Sequence, residues 1–330
     1  MSKALILTDG KAGHENQSRA FARALGGEPE LLPIQFRSPF AKALSYLLDL
    51  FGIRTLRLFK PFSESQNQVL SQSQGFRAVL GTGSGTFYAA KAIARRLGVP
   101  CGVVLYPRGY RLAGFDCILA HSFDRPDNVP NFIPIPANLV ASDAAFYEAG
   151  VKAFRERHAP SDRPAVAVIV GGPNKCSTMS ADWMRAQLES IFAKYKPNLP
   201  VAAPPHHRTT ETPHYELWVT TSRRTPPEVE AVVDSFPFDY KLLYSRDHFN
   251  PIPAFVSLAS VIFVTAESTG MISEVCTFGT AEVEVLDNLK SGPHKFRRFI
   301  DDLRSAGHVG GAVKIDLSEQ FARARTLLTT

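Results

Sequence analysis

A chain of 330 residues, 45% hydrophobic and 21% charged, has the length of about two domains and the composition of a globular protein. A chain this long buries most of its unfolded surface, which excludes collagen-like, disordered and disulfide-stapled mini-protein classes. The net charge of +6 suits an anionic small molecule or an anionic membrane surface. No basic–aromatic RNA signature or zinc-finger spacing accompanies it, so no nucleic-acid partner is expected.

In chain order, the start MSKALILTDG turns polar too soon for a signal peptide, and no apolar run reaches the length of a membrane span. Ala4–Leu7 reads as a buried strand, Thr8–Gly13 as its loop, and the face Ala20, Phe21, Ala24, Leu25 as a helix stopped at Gly26-Gly27. Phe40–Phe62 is apolar with Lys42, Arg54, Arg57 and Lys60 interspersed. That pattern predicts a helical hairpin on its own domain or a basic amphipathic segment at the inner-membrane surface. Strands follow over 77–80, 101–106 and 115–120, with a helix through Arg96 ended by Gly98 and Pro100.

The polar, proline-punctuated stretch 155–164 reads as a linker. Strands then recur over 166–170, 216–221 and 261–265, with helices over 181–195, after Thr225-Pro226 and over 271–278. Short strands alternating with helices imply parallel sheets with right-handed crossovers. The chain is therefore expected to be α/β, two Rossmann-like domains facing a cleft. The N-terminal domain is expected over 1–158 and the C-terminal one over 165–330, with the last helices packing back on the first. Cys101, Cys117, Cys176 and Cys276 form no C-x-x-C pair; three of them lie in or beside apolar runs and read as small buried residues, as in a reducing compartment. A cytoplasmic protein, peripheral to the inner membrane through 40–62, is expected.

Ligands of parallel α/β domains sit beyond the carboxyl ends of the strands, so the loops after strands carry the chemistry. The stretch 9–17 gathers Asp9, Lys11, Gly13, His14, Asn16 and Gln17, with His14 or Asp9 a candidate general base. Gly81–Thr86 resembles a dinucleotide fingerprint, but its third glycine comes too early, and no acid follows to hold a ribose; it reads as site lining through Thr82 and Ser84 or as a plain turn. Gly171, Gly172, Asn174 and Lys175 lack P-loop spacing but suit a phosphate or nucleobase edge. Ser222, Arg223 and Arg224 suit a diphosphate clamp, because guanidinium matches phosphate oxygens in a fork. Ser268, Thr269 and Met271 open a helix, an anion site, and Glu274 one turn on suits ribose hydroxyls. Together these describe a nucleotide-diphosphate pocket. No Asp-x-Asp element is present to hold a donor through a carboxylate-bound metal, and no metal or other cofactor is expected. His206-His207 and His214 read as solvated loop residues.

DGKAGHENQSRAFARAL at 9–25, GTGSGT at 81–86, VIVGGPNK at 168–175, WVTTSRRTP at 218–226 and VTAESTGMISEV at 264–275 together resemble the mitochondrial fission "elongated mitochondria" family, in its bacterial form. The resemblance implies a GT-B-like glycosyltransferase fold with the sugar nucleotide on the C-terminal domain. The last loop also resembles the donor loop of the lipid-linked glucosaminyltransferase of peptidoglycan synthesis, which gives Ser268 and Thr269 the diphosphate and Glu274 the ribose. Glu267 and Gly270 stand where the family pattern has an aspartate and an asparagine. The implied activity is metal-independent transfer of a sugar from a nucleotide-sugar to a hydroxyl of a cell-envelope glycan or lipid-linked sugar. Lys11, Gly13, Asn16, Gln17, Thr82, Ser84 and Arg108 fall on the acceptor side. A nucleotide-sugar epimerase or hydrolase and a non-catalytic adaptor are the rival readings.

Overall fold

The computed structural model describes residues 3–71, 75–124, 129–196, 215–292 and 294–329. The expected solvated histidines 206, 207 and 214 lie outside them. The chain forms two units, Met1–Ala141 with Asp316–Thr330, and Ser142–Ile315.

The first unit runs β1 (Lys3–Thr8), α1 (Ala12–Ala24), β2 (Glu28–Pro33), α2 (Pro39–Leu50), α3 (Glu64–Ser71), β3 (Phe76–Thr82), α4 (Phe87–Leu97), β4 (Cys101–Val104), β5 (Cys117–His121) and β6 (Phe132–Ile135). All its strand pairs are parallel, in the order β2-β1-β3-β4-β5-β6. Ala4–Leu7, Ala78–Leu80 and Cys117–Ala120 are buried throughout, as strands covered on both faces must be. Gly98 at φ +67° ends α4 in the left-handed conformation that glycine adopts without strain.

The second unit runs α5 (Ala144–Arg155), β7 (Ala165–Val170), α6 (Ala181–Tyr195), β8 (Glu216–Thr221), α7 (Pro227–Ser235), β9 (Tyr240–Leu242), α8 (Ile252–Leu258), β10 (Ala259–Thr265), α9 (Thr269–Thr277), β11 (Glu282–Leu286) and α10 (Lys295–Ser305). Its parallel order is β11-β10-β7-β8-β9. Ser180 caps α6 by accepting from Trp183 N at 3.2 Å. The chain ends with α11 (Ser318–Leu327), which belongs to the first unit: Arg325 Nη1 donates to Ala24 O at 2.7 Å, and Arg323 Nη2 to Pro130 O at 2.8 Å.

The architecture is therefore α/β with two Rossmann-like parallel sheets. The division falls at Ala141/Ser142 and not in the stretch 155–164. That stretch is packed onto β8, with Glu216 Oε1 accepting from Ser161 N at 2.8 Å and Glu216 Oε2 lying 3.5 Å from His158 Nε2. Residues 40–62 are not a helical hairpin. Gly52 at φ +73° turns the chain after α2, and the return runs without helix through a turn closed by Phe59 N to Leu56 O at 3.1 Å, with Phe59 bridged to Phe36. The strand expected over 101–106 stops at Val104, because Leu105 takes φ +72°, outside the strand region. No helix among the described residues is long and apolar enough to cross a membrane.

Candidate functional site

In open parallel sheets, ligands bind where the strand order reverses. In the first sheet that point lies between β1 and β3, in the second between β7 and β10. The loops that follow these four strands are four of the five singled out by their composition.

At the first point, Asp9 directly follows β1 and His14 stands in the first turn of α1. The loop is only three residues long, so His14, Asn16 and Gln17 are helical and not loop residues. His14 Nδ1 lies 3.1 and 3.2 Å from the two Asp9 oxygens. Lys11 Nζ donates to Asp9 Oδ2 at 3.1 Å. Burial alone would raise the Asp9 carboxyl, but Lys11 and His14 outweigh it and hold it below its ordinary value.

The loop after β3 closes over this pair. A Cβ on Gly83, which has φ +81°, would stand 2.4 Å from His14 Cε1; one on Gly85 would stand 2.7 Å from Asp9 Oδ2. The two glycines thus leave room for the pair where side chains would displace it. Thr82 Oγ1 meets Ser18 Oγ at 2.7 Å, and Ser84 Oγ accepts from Lys42 Nζ at 2.9 Å. Gln17 is buried; its Nε2 donates to Gly13 O at 3.3 Å, while its Oε1 has no hydrogen-bond partner among the described residues. Asn16 faces solvent. Arg108 is tied to Asp124 just past β5 and is not drawn to the pair.

At the second point the hub is Glu267, whose buried carboxylate accepts from Thr265 Oγ1 and Ser268 Oγ, each at 2.9 Å, and from Asn288 Nδ2 at 2.7 Å. Thr265 Oγ1 in turn accepts from Gly171 N at 2.9 Å. A Cβ on Gly171 would stand 2.0 Å from Glu267 Oε1, and one on Gly172 would stand 2.2 Å from Arg224 O. Thr225 Oγ1 donates to Gly171 O at 2.6 Å. The loops after β7, β8 and β10 are thereby locked together. With its hydroxyl on Glu267, Ser268 gives α9 no side-chain cap, so the first-turn amides are not capped from that position.

Beside the loop after β8 opens a cavity of about 400 Å³, lined in part by Arg223, Thr225, Tyr244 and Arg246. Arg223 and Arg224 are exposed. Asn174 is taken up by its own turn, its Oδ1 accepting from Cys176 N at 2.8 Å, and Lys175 is exposed. Glu274 Oε1 accepts from Tyr147 Oη at 3.1 Å, and burial pushes the Glu274 carboxyl above its ordinary value despite that bond. Glu267, Asn288, Thr225 and Tyr147 are not among the site residues that the sequence points to. The hydroxyl run around Glu267 was a signal for the first. Asn288 lies past a strand that went unread, and its Oδ1 is buried without a partner among the described residues.

The family model for "Mitochondrial fission ELM1" matches residues 12–314. The chain belongs to the mitochondrial fission ELM1 family. Among solved structures, this ELM1-family chain is similar to the UDP complex of MnaA from S. aureus, at 14% identity and TM-score 0.46, covering 100% of this chain and 90% of that one. It is similar to the UDP-GlcNAc 2-epimerase of Neisseria meningitidis bound to UDP-GlcNAc, at 15% identity and TM-score 0.46, covering 98% and 90%. It is also similar to the ADP-heptose LPS heptosyltransferase II of E. coli, at 10% identity and TM-score 0.41, covering 92% and 98%. No curated protein matches it by sequence.

Proposed function

We propose that this ELM1-family protein is a metal-independent glycosyltransferase of GT-B type. It moves a sugar from a nucleotide-sugar to a hydroxyl of a glycan or a lipid-linked sugar. The observation that carries the reading is the His14–Asp9 pair, held under Gly83 and Gly85 at the switch point of the first sheet. With Asp9 on Nδ1, Nε2 is the nitrogen left to take a proton.

The first unit receives the acceptor. Its hydroxyl proton passes to His14 Nε2 as the oxygen attacks the anomeric carbon. The carbon–oxygen bond to the phosphate breaks, and its electron pair leaves with the nucleotide. The second unit holds that leaving group. The first turn of α9 and the Arg223 and Arg224 guanidiniums take its charge, Gly171 and Gly172 let the loop after β7 pack against Glu267 and Arg224 to hold those groups, and Glu274 takes the ribose hydroxyls. Thr269 and Met271 line the diphosphate side. The nucleobase fits the cavity beside Arg223 and Tyr244, whose size lies within the usual range for small-molecule sites.

A thermal-shift screen against nucleotide-sugars tests this. A ligand at 100 times its dissociation constant stabilises by about 2.7 kcal/mol. One nucleotide-sugar should raise the melting temperature, and should then be consumed only when a hydroxyl acceptor is added, in excess chelator as well as without it. Consumption without acceptor would make the protein an epimerase or hydrolase. Absence of any shift would favour an adaptor, and a strict need for magnesium or manganese would reject the metal-independent mechanism.

A further inference from the structure

Helix α2 is apolar on two sides: Leu44, Tyr46 and Leu48 pack half-buried against the core, and a second apolar stripe faces outward. Its buried positions are Ala41, Ser45 and Asp49. Ser45 Oγ lies 2.8 Å from Tyr110 Oη, and Asp49 takes Lys91 Nζ at 3.0 Å, Arg54 Nη1 at 3.1 Å and Arg111 N at 2.7 Å. The outward stripe is Phe40, Ala43, Leu47, Leu50 and Phe51, at helical spacing. Phe40 is 75% exposed, Leu47 53%, Leu50 59% and Phe51 69%, and Ile53 beyond the Gly52 turn is 48% exposed. These are five of the seven large hydrophobic side chains exposed among the described residues, so the exposure is a patch and not scatter. A helix that faces water places its polar side outward, whereas this one is apolar outward as well as inward.

Charge says what covers the patch. The stretch 31–63 holds five basic residues and a single acid, Asp49, which is buried and neutralised by Lys91 and Arg54. Arg37, Arg57 and Lys60 are exposed. Backbone bonds from Arg37 N to Leu58 O at 2.9 Å and from Lys60 N to Gln35 O at 2.8 Å bring Arg37 and Lys60 to the start of α2. At its other end stands exposed Arg111, donating to Leu50 O at 3.2 Å. A second copy of the chain seated here about a two-fold axis would set cations against cations. An anionic lipid surface takes the apolar stripe among its acyl chains and the flanking cations at its headgroups.

We propose that α2 and the turn after it are the surface by which this protein docks on an anionic bilayer. The docking does not depend on glycosyl transfer.

Co-sedimentation of the full chain with phosphatidylglycerol-rich and with pure phosphatidylcholine vesicles tests the proposal. The wild type should pellet with the anionic vesicles, far less with the neutral ones, and should be partly released by salt. Leu47→Glu with Phe51→Glu should abolish pelleting, and circular dichroism would verify that the variant is folded. Arg57→Gln with Lys60→Gln, which leaves the apolar stripe intact, should weaken anionic-vesicle binding about 30-fold, at roughly one kcal/mol per cation. A wild type that stays in the supernatant with both vesicles overturns the proposal, as does a folded Leu47→Glu, Phe51→Glu protein that pellets like the wild type. So does a wild-type dimer in sedimentation velocity that Leu47→Glu dissociates while vesicles bind neither form.

Discussion

The imidazole of His14 meets the carboxylate of Asp9 at 3.1 Å, from the first turn of a helix back to the end of the preceding strand. The contact gives Nδ1 its partner and stabilises the positive charge that arises when Nε2 takes a proton. It also makes the pair separable by mutation, because each member has its own part.

Replacing His14 with alanine should lower turnover by about 10²–10⁴-fold, the usual contribution of general acid–base catalysis, with nucleotide-sugar affinity unchanged. Asp9→Asn keeps the shape but loses the charge, so it should lower turnover by a smaller factor. Steady-state kinetics alongside donor calorimetry checks both. Near-wild-type turnover in both variants would make the pair structural.

The glycine roof can be tested without touching the pair. Gly83→Ala drives a methyl group to 2.4 Å from the His14 ring, so turnover should fall with donor affinity intact, and stability should drop by about 1–3 kcal/mol. Gly10→Ala is the control. Gly10 also has positive φ, +79°, but its added Cβ would meet nothing within 4 Å. It should cost stability and spare turnover. Equal kinetic loss in the two variants would mean that backbone strain, and not displacement of His14, sets the effect.

In the second unit, Glu274→Ala should weaken nucleotide-sugar binding by about 1.5–3 kcal/mol, roughly 10–150-fold. Tyr147→Phe removes only the hydroxyl that holds Glu274, and should cost about 0.5–1.5 kcal/mol of affinity. Calorimetry in which Glu274→Ala binds as the wild type does would remove Glu274 from the donor pocket.

Glu216 makes acid stability readable. Burial alone would raise its carboxyl, but bonds from Ser161, Trp218 and His158 outweigh it and bring it from an ordinary 4.5 to about 2. A group depressed on folding contributes fully above its unfolded value and loses that contribution as pH falls through its folded one. The melting temperature should therefore fall between about pH 4.5 and 2, and Glu216→Gln should flatten the curve over that window while lowering it near neutrality. An unchanged slope in the variant would assign the acid transition to other carboxylates.

The fold could be read wherever burial wrote itself as a run of apolar residues. Ala165–Val170, buried at every position, was legible at once, as was the helix that Ala181–Tyr195 forms. Glu28–Pro33, Phe132–Ile135 and Glu282–Leu286 carry Glu or Pro within the strand and are all outermost in their sheets, so composition hid them. The polar stretch at 155–164 looked like a linker because its anchor, Glu216, lies about 55 residues further along the chain. The candidate loops were legible because glycines, hydroxyls and charges cluster after strands. Which of those side chains meet was not. Ser268 reads as a helix cap in the sequence and turns to Glu267 in the structure, while Asn174 spends its oxygen on its own turn. Such choices depend on neighbours from other loops, which spacing along one chain does not encode.

The return of residues 316–330 to the first unit has a consequence for biosynthesis. The second unit, Ser142–Ile315, is complete as soon as its own residues leave the ribosome. The first unit, begun earlier, waits until residues 316–329 have also been made. Ala324 and Leu328 are buried in it, and a Cβ on Gly102 would stand 3.2 Å from the Leu328 side chain. The nascent first unit therefore stays open along that seam while the rest of the chain is made. A stop just after Ile315 would leave the second unit intact and the first one unfinished, exposed to proteases and chaperones until it is degraded.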